Sequence, residues 1–333
     1  MRNENLRHIP KILAPYSKTK TSAFCLLPVP LSWSSPHGRP LPAPGARTLV
    51  MGILNVTPDS FSDGGQFPTP DAIVERARVL LDEGADILDL GGESTRPDAE
   101  PVDTLTELAR VLPALTALRK NFPDAPISID TYKPAVAASA IRAGADMVND
   151  IWGAAHGFTP AQRRAAPPPR SPMAETVAQL RCPIILMHNR PDKNYADFWA
   201  DLLADIRFSL ALAHNAGIPA QQIWLDPGFG FAKSPAQNLE VLKNLSRVVA
   251  LGHPVLLGTS RKSTLGQILG GAPADDRREA TAATLVWGIQ QGCAMVRLHE
   301  IAPHRRFLTT ADALQAGEAW NQGQRDMGTK GQS

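Results

Sequence analysis

The chain has 333 residues, 43% of them hydrophobic and 20% charged, and a formal net charge of +2. That length can bury a sizeable core, as one large domain or two small ones. A charge so near neutral gives no case for a nucleic-acid partner, and no apolar run reaches the roughly 18 residues of a membrane span, so no membrane partner is expected either.

Residues 1–46 differ from the rest of the chain. Arg2, Arg7, Lys11, Lys18, Lys20, Arg39 and, at the border, Arg47 stand against one acid, Glu4, and "PVPLSWSSPHGRPLPAPG" is proline-rich with no helical or strand period. The segment reads as a disordered leader or as a start assigned upstream of "TLVMGIL"; a basic, acid-poor organellar transit peptide is the sharper alternative. Cys25, Cys182 and Cys293 lie far apart with no CxxC spacing. They read as unpaired thiols in a reducing compartment, so a cytoplasmic location is expected.

From residue 47 to about 320, short apolar runs alternate with longer stretches of helical spacing. The runs are 48–54, 86–91, 126–130, 147–150, 183–188, 223–226, 254–258 and 295–299. Ala72, Val74, Ala77, Val79, Leu80 and Leu81 illustrate the helical spacing between them, and "DEGAD", "RAGAD" and "QQGCAM" supply helix-ending glycines before the next run. Continuous apolar strands joined by helices argue for a covered parallel sheet, and eight units of this length predict an α/β fold, a (β/α)8 TIM barrel, over an open doubly wound sheet. Residues 321–333 read as a disordered tail.

Nearly every run ends in chemically useful polar residues: Asn55, Glu93 to Arg96, Asp130, Asn149-Asp150, His188 to Arg190, Asp226, Arg261 to Ser263, and Arg297 with His299. One such residue is commonly a helix cap; eight of eight point to the mouth of a barrel, where catalytic sites are built. Asp130, Asn149 and Asp226 could accept the ring N–H and amino protons of a 2-amino-4-oxo heterocycle. A buried ion-pair network with Lys262 and Arg297 is the alternative. Arg297 and His299 alternate along one strand and suit a phosphate, while Asn55 could ligate a magnesium ion that bridges phosphate oxygens. Phe231 and Met187 could lie against a flat ring, and core packing explains either of them at least as well; Phe229 flanks the same glycine as Phe231.

"LLGTSRKSTLG" (256–266) looks like a phosphate loop, but no glycine precedes Lys262, so it is not a P-loop. It reads instead as a loop entering a short helix with Ser263 in its first turn, a place for an anion of either kind, carboxylate or phosphate. "FGFAK" and "LGGES" lack the GxGxxG of a dinucleotide site.

Taken together, "MGILNVTPDSFSDGG", "ILDLGGESTRP", "ISIDTYK", "MVNDI", "IILMHNR", "DPGFGFAK", "GTSRKS" and "VRLHE" resemble the dihydropteroate synthase family. The resemblance spans residues 48 to about 316 and implies a transferase of folate biosynthesis, using magnesium. It would join 7,8-dihydropterin-6-ylmethyl diphosphate to 4-aminobenzoate, both small-molecule substrates. By this similarity Asp130, Asn149, Asp226, Lys262 and Arg297 would hold the pterin, with Asp130, Lys262 and Arg297 closest to the chemistry. Thr95, Arg297 and His299 would hold the diphosphate and Asn55 the metal. Arg96, Pro97, Phe231, Lys262 and Ser263 would frame the aminobenzoate, and loops 57–66 and 92–102 would close over the site. The resemblance also implies a homodimer and a sulfonamide target.

Three departures stand out. A segment with five prolines and three arginines, 157–172, intervenes where a short loop and helix are usual, so helix four is expected late, shortened or displaced. Glu300 stands where Asp is more usual, and Gln237 where a histidine is common. Competing readings are a methyltetrahydrofolate-dependent methyltransferase, which should lack the "NVTPDSFSDGG" loop and the Arg-Lys-Ser element, and a non-catalytic pterin-binding paralogue, which should have lost the diphosphate groups.

Overall fold

The computed structural model describes residues 33–57, 69–94, 100–165 and 167–317. Its strands are β1 (Leu49–Asn55), β2 (Ile87–Gly91), β3 (Ile127–Asp130), β4 (Met147–Asp150), β5 (Ile184–Met187), β6 (Ile223–Asp226), β7 (Leu256–Leu257) and β8 (Met295–Leu298). All pairings are parallel, in the order β6-β5-β4-β3-β2-β1-β8-β7. The ring closes where Leu225 meets Val255 and the Leu225 N–H donates to the Pro254 carbonyl at 3.0 Å. The fold is therefore the (β/α)8 barrel, and the open sheet is excluded.

Eleven α-helices are described: α1 (Pro70–Asp82), α2 (Thr104–Asn121), α3 (Pro134–Arg142), α4 (Pro160–Arg163), α5 (Pro172–Leu180), α6 (Phe198–Asn215), α7 (Pro235–Lys243), α8 (Ser246–Val249), α9 (Ser263–Ile268), α10 (Arg278–Gln290) and α11 (Ala302–Ala316). Several begin as their sequences dictate, with a hydroxyl cap and proline in the first turn; Thr69 accepts from Ala72 N–H at 3.3 Å ahead of Pro70. Gly84 and Gly144 then leave α1 and α3 through the left-handed region, at φ 98° and 115°, which a side chain would resist.

Side chains alternate across each strand, so one parity faces the barrel interior. Along that parity the chemistry changes with height. Ile87, Met147, Ile185, Trp224, Leu256 and Met295 form one buried apolar cluster at the N-terminal end. Two residues further along the same faces stand Asp89, Asn149, Met187, Asp226, Gly258 and Arg297. The opposite parity, with Leu88, Leu90, Val148, Leu186, Leu225 and Val296, packs against the helices in the larger cluster. The barrel is thus an apolar plug with a polar layer above it.

Residues 33–46, expected to belong to a disordered leader, are packed; residues 1–32 lie outside the described part. Trp33 is buried against Trp224 with ring centroids 4.7 Å apart, and its Nε1 donates to the Pro42 carbonyl at 2.8 Å. Asp146, fully buried at the start of β4, accepts from Ser35 Oγ at 2.6 Å, Arg39 Nε at 2.8 Å and Arg119 Nη2 at 2.5 Å. The leader's lack of pattern conceals one aromatic anchor and one ion pair, which together cover the bottom of the barrel.

The proline-rich segment delays helix four as expected. Among its described residues the single turn α4 forms, capped reciprocally by Thr159 and Gln162, and the longer α5 waits until Ser171 caps it by accepting from Ala174 N–H. Phe158 anchors the segment edge-on to Phe208 of α6 at 5.7 Å, and the Arg163 guanidinium approaches Asp205 of α6 at 3.7 Å. Among the described residues no helix is long and apolar enough to cross a membrane.

Replacing Trp33 by Ala is expected to lower the unfolding free energy by about 3 kcal/mol, the usual cost of emptying a buried aromatic site. Urea denaturation measures it; a loss under about 1 kcal/mol would show that the strap does not seal the barrel.

Candidate active site

The polar layer is organised around Arg297 on β8. Its Nη2 donates to Asp130 Oδ2 of β3 at 2.7 Å and its Nε to Asp89 Oδ2 of β2 at 2.6 Å. Asn149 of β4 donates from Nδ2 to the same Asp89 oxygen at 3.1 Å. Four strands are so tied by one guanidinium, two carboxylates and one amide. The ion-pair alternative is therefore realised in part: Arg297 joins Asp130, but Lys262 lies within 4 Å of no carboxylate among the described residues. Burial pushes the Asp130 carboxyl up; Arg297 opposes the shift, and Asp89 and Glu107 add to it.

Asp89 is fully buried, and its Oδ1 has no hydrogen-bond partner among the described residues. Sequence reasoning passed over it. The signal was present as a lone acid between leucines in "ILDLG", on the strand parity that carries Gly91, which pairs in register with Asp130.

Across the barrel, Asp226 ends β6, and its Oδ1 accepts the Gly228 N–H at 2.7 Å. Burial pushes this carboxyl up to about 6 against that hydrogen bond. Gly258, after β7, leaves room between Asp226 and Arg297: a Cβ there would sit 4.0 Å from Asp226 Oδ2 and 3.8 Å from Arg297 Cβ. Lys262 folds back toward the layer with its Nζ 4.0 Å above the Phe231 ring. Burial, then the nearby Arg297 charge, lowers its amine to about 8.

The loop carrying Phe231 is held from beneath. The buried Lys233 Nζ donates to the Gly228 carbonyl at 2.9 Å and the Phe231 carbonyl at 3.2 Å, and it lies 2.9 Å from His188 Nδ1. His188 Nε2 lies 3.3 Å from Asp205 Oδ2, which Arg190 Nε approaches at 2.9 Å. Tyr195 donates to the Ala232 carbonyl at 2.9 Å. Buried Asn238 accepts from Gly230 N–H at 2.8 Å and donates to Thr264 Oγ1 at 2.9 Å, joining this loop to α9. Sequence reasoning gave Lys233 no role, because nothing local marks a lysine that folds back under its own loop.

Of the remaining expected residues, Asn55 ends β1, with its Oδ1 3.2 Å from where a Gly91 Cβ would stand. His299 lies just past β8, Nδ1 3.0 Å from Ser260 Oγ. Ser263 is the exposed first residue of α9. Thr95, Arg96 and Pro97 lie outside the described residues, as do 58–68 of the first long loop and 95–99 of the second. Phe229 is core, and Met187 is buried in register with Asp226. Glu300 pairs with Arg261 at 3.0 Å and Arg278 at 2.8 Å, and Gln237 completes a capping box with Ser234, so both departures have structural work.

No cluster of three or more His, Cys, Asp or Glu able to hold a metal occurs among the described residues. Asn55 would give a hard cation one amide oxygen, and such ions accept few protein ligands.

Fold and site together define a barrel whose mouth offers buried acceptors for a polar heterocycle and cations for an anion beside it. Residues 51–299 match the model of the pterin binding enzyme family. A dihydropteroate synthase of Bacillus subtilis is 46% identical over 268 residues, 80% of this chain and 89% of the relative. A Clostridium difficile dihydropteroate synthase solved with pteroic acid is 42% identical, covering 81% of this chain and 98% of that one, with a TM-score of 0.73. A Xanthomonas albilineans dihydropteroate synthase solved with 4-aminobenzoic acid is 40% identical, covering 81% and 94%, with a TM-score of 0.73. The chain belongs to the pterin binding enzyme family, on its dihydropteroate synthase branch.

Because the Asp226 carboxyl titrates higher in the fold, at about 6, than its ordinary 3.8, its burial costs nothing below the ordinary value and the full amount above about pH 6. Asp226→Asn removes that cost. Its stability relative to the parent is expected to increase by roughly 1 kcal/mol between pH 5 and pH 8. Urea melts at the two pH values test this; a gap independent of pH would overturn the assignment.

Proposed function

We infer that the protein condenses 7,8-dihydropterin-6-ylmethyl diphosphate with 4-aminobenzoate, giving 7,8-dihydropteroate and diphosphate. The observation that carries this reading is the single inward-facing layer of Asp130, Asn149 and Asp226, flanked by Lys262 and Arg297, inside the family span. Relatives solved with pteroic acid and with 4-aminobenzoic acid support both ligand classes.

Asp226 in its ionised form accepts the ring N–H and exocyclic amino protons of the pterin, with Asn149 beside it, and Lys262 and Arg297 flank the ring. The aminobenzoate nitrogen attacks the methylene carbon. The carbon–oxygen bond breaks, its electron pair leaves with the diphosphate, and the amine proton passes to water. Positive charge growing on the methylene is stabilised by Asp130, which Arg297 holds in place, so the residues act by position and electrostatics more than by proton transfer. Arg297 commits Nε and Nη2 to carboxylates; Nη1, with His299 and Thr95, would meet the diphosphate. Asn55 would hold magnesium, which when bound screens the charge of the leaving group. Phe231, Lys262, Ser263, Arg96 and Pro97 would frame the aminobenzoate, its carboxylate at the start of α9.

The protein is also proposed to act as a cytoplasmic homodimer. A cleft of about 550 Å³ between α10 and α11 is lined by Val286, Pro303, Phe307 and Leu314. Phe307 and Leu314 in this cleft are 47% and 69% exposed, apolar surface that favours burial against a second copy.

The activity is tested by diphosphate release from dihydropterin diphosphate with magnesium, with and without 4-aminobenzoate. Release dependent on aminobenzoate and competitively inhibited by a sulfonamide supports the reading; pterin binding without release makes the protein a non-catalytic binder. Asp226→Ala is expected to weaken pterin binding at least a hundredfold by calorimetry, and retained affinity would remove Asp226 from the pterin site. The double variant Phe307→Asp with Leu314→Asp is expected to sediment as a monomer where the parent is a dimer; equal masses would place the interface elsewhere.

A further inference from the structure

Asp226 and Phe231 stand at opposite ends of one tight loop that has no regular structure of its own. Gly228 and Gly230 lie at φ 68° and 85°, and Ala232, which has a side chain, lies at 46°. Gly228 could not be replaced, since a Cβ there would come 2.0 Å from the His188 carbonyl oxygen. A non-glycine residue in the left-handed region costs on the order of 1 kcal/mol and persists only when its surroundings impose it. Ala232 lies directly between the two residues through which the loop is tied down, Phe231 and Lys233.

Lys233 has only 4% of its surface exposed. In its ammonium form it has three protons for the three acceptors around it, the Gly228 carbonyl at 2.9 Å, the Phe231 carbonyl at 3.2 Å and His188 Nδ1 at 2.9 Å; burial lowers the amine to about 7, and Asp226 and Asp205 oppose that shift. Two are backbone groups of the loop and the third belongs to a different strand end. Toward the ammonium form His188 offers a lone pair at Nδ1, which places its proton on Nε2, the nitrogen 3.3 Å from Asp205. Burial, with the Lys233 charge beside it, lowers the imidazole to about 3, which keeps it neutral and an acceptor.

We propose that Lys233 is a positioning residue for the aminobenzoate side of the reaction: it fixes the Phe231 backbone from below, with His188 as its side-chain anchor, and so sets the height of the ring on which Lys262 rests. This rests on the condensation proposed above. Asp226 is less dependent on Lys233, because its backbone is fixed in β6 and Lys233 reaches it only through the Gly228 peptide and as a nearby charge, whereas Phe231 lies past the second glycine and has Lys233 on its own carbonyl. Loss of Lys233 therefore separates the two substrates.

The test compares Lys233→Met, which keeps the aliphatic stem, with His188→Leu and His188→Gln, in the full chain with magnesium. KM for 4-aminobenzoate, Kd for the pterin substrate and thermal melting are measured for each. Expected for Lys233→Met is a KM for aminobenzoate raised at least tenfold with pterin Kd changed less than threefold. His188→Leu is expected to move KM in the same direction, and His188→Gln, whose amide oxygen can still accept from Lys233, to restore it in part. Unchanged KM in folded Lys233→Met, or equal losses in both substrates, overturns the proposal. If Lys233→Met does not fold, the His188 pair decides: equal KM values for Leu and Gln overturn it, and a rise in Leu rescued in Gln supports it. An inactive parent protein is a failure of the condensation reading itself, and is seen before any variant is made.

Discussion

The structure depends on burying charge at the top of an apolar barrel. Asp89 and Asp130 occupy the interior, each within hydrogen-bond distance of Arg297. Desolvating such groups is expensive, and removing one partner of a buried pair typically costs about 3–5 kcal/mol. A protein selected for stability alone would do as well with apolar side chains there. Eight strands had to present inward positions of the right parity, and the apolar layer of Ile87, Met147, Ile185, Trp224 and Met295 beneath carries the packing that the polar layer forgoes.

Much of this was legible in the sequence because strands in a covered parallel sheet are short, continuous and apolar, and each barrel strand ends at the mouth. Asp130, Asn149, Asp226 and Arg297 could be assigned to one place from their positions at strand ends alone. Asp89 left only a weaker signal, a lone acid mid-strand between leucines, and its hydrogen-bond partners are 60 and 208 residues away in sequence; which groups it meets is set by strand register, which emerges only when the barrel closes. Residues 33–46 were misread for the opposite reason. Trp33 and Arg39 are two tertiary anchors in a segment without periodicity, and isolated anchors leave no periodic trace in a sequence.

On the proposed reading, electrostatics would let the mouth hold a neutral, donor-rich heterocycle next to an anion. Burial pushes Asp226 up to about 6 and Lys262 down to about 8. Both shifts record water already excluded from groups that lack full partners, and a ligand carrying the missing donors and acceptors recovers part of that energy on binding. Asp89 belongs to the same account, since among the described residues its fully buried Oδ1 meets no donor.

The proline-rich segment 157–172 bears on the site by a defined route. Its one helical turn carries Arg163, whose side chain is only 10% exposed and reaches Asp205 at 3.7 Å. Asp205 already faces His188 and Arg190, and His188 faces Lys233. A second guanidinium on one carboxylate keeps that carboxylate ionised, and Asp205 does titrate below its ordinary value, with burial opposing and His188, Arg190 and Arg163 lowering it. An ionised Asp205 favours the His188 tautomer with its proton on Nε2, the tautomer that leaves Nδ1 open to Lys233. A segment that looks like an interruption of the barrel thus reinforces, at two removes, the support beneath Phe231.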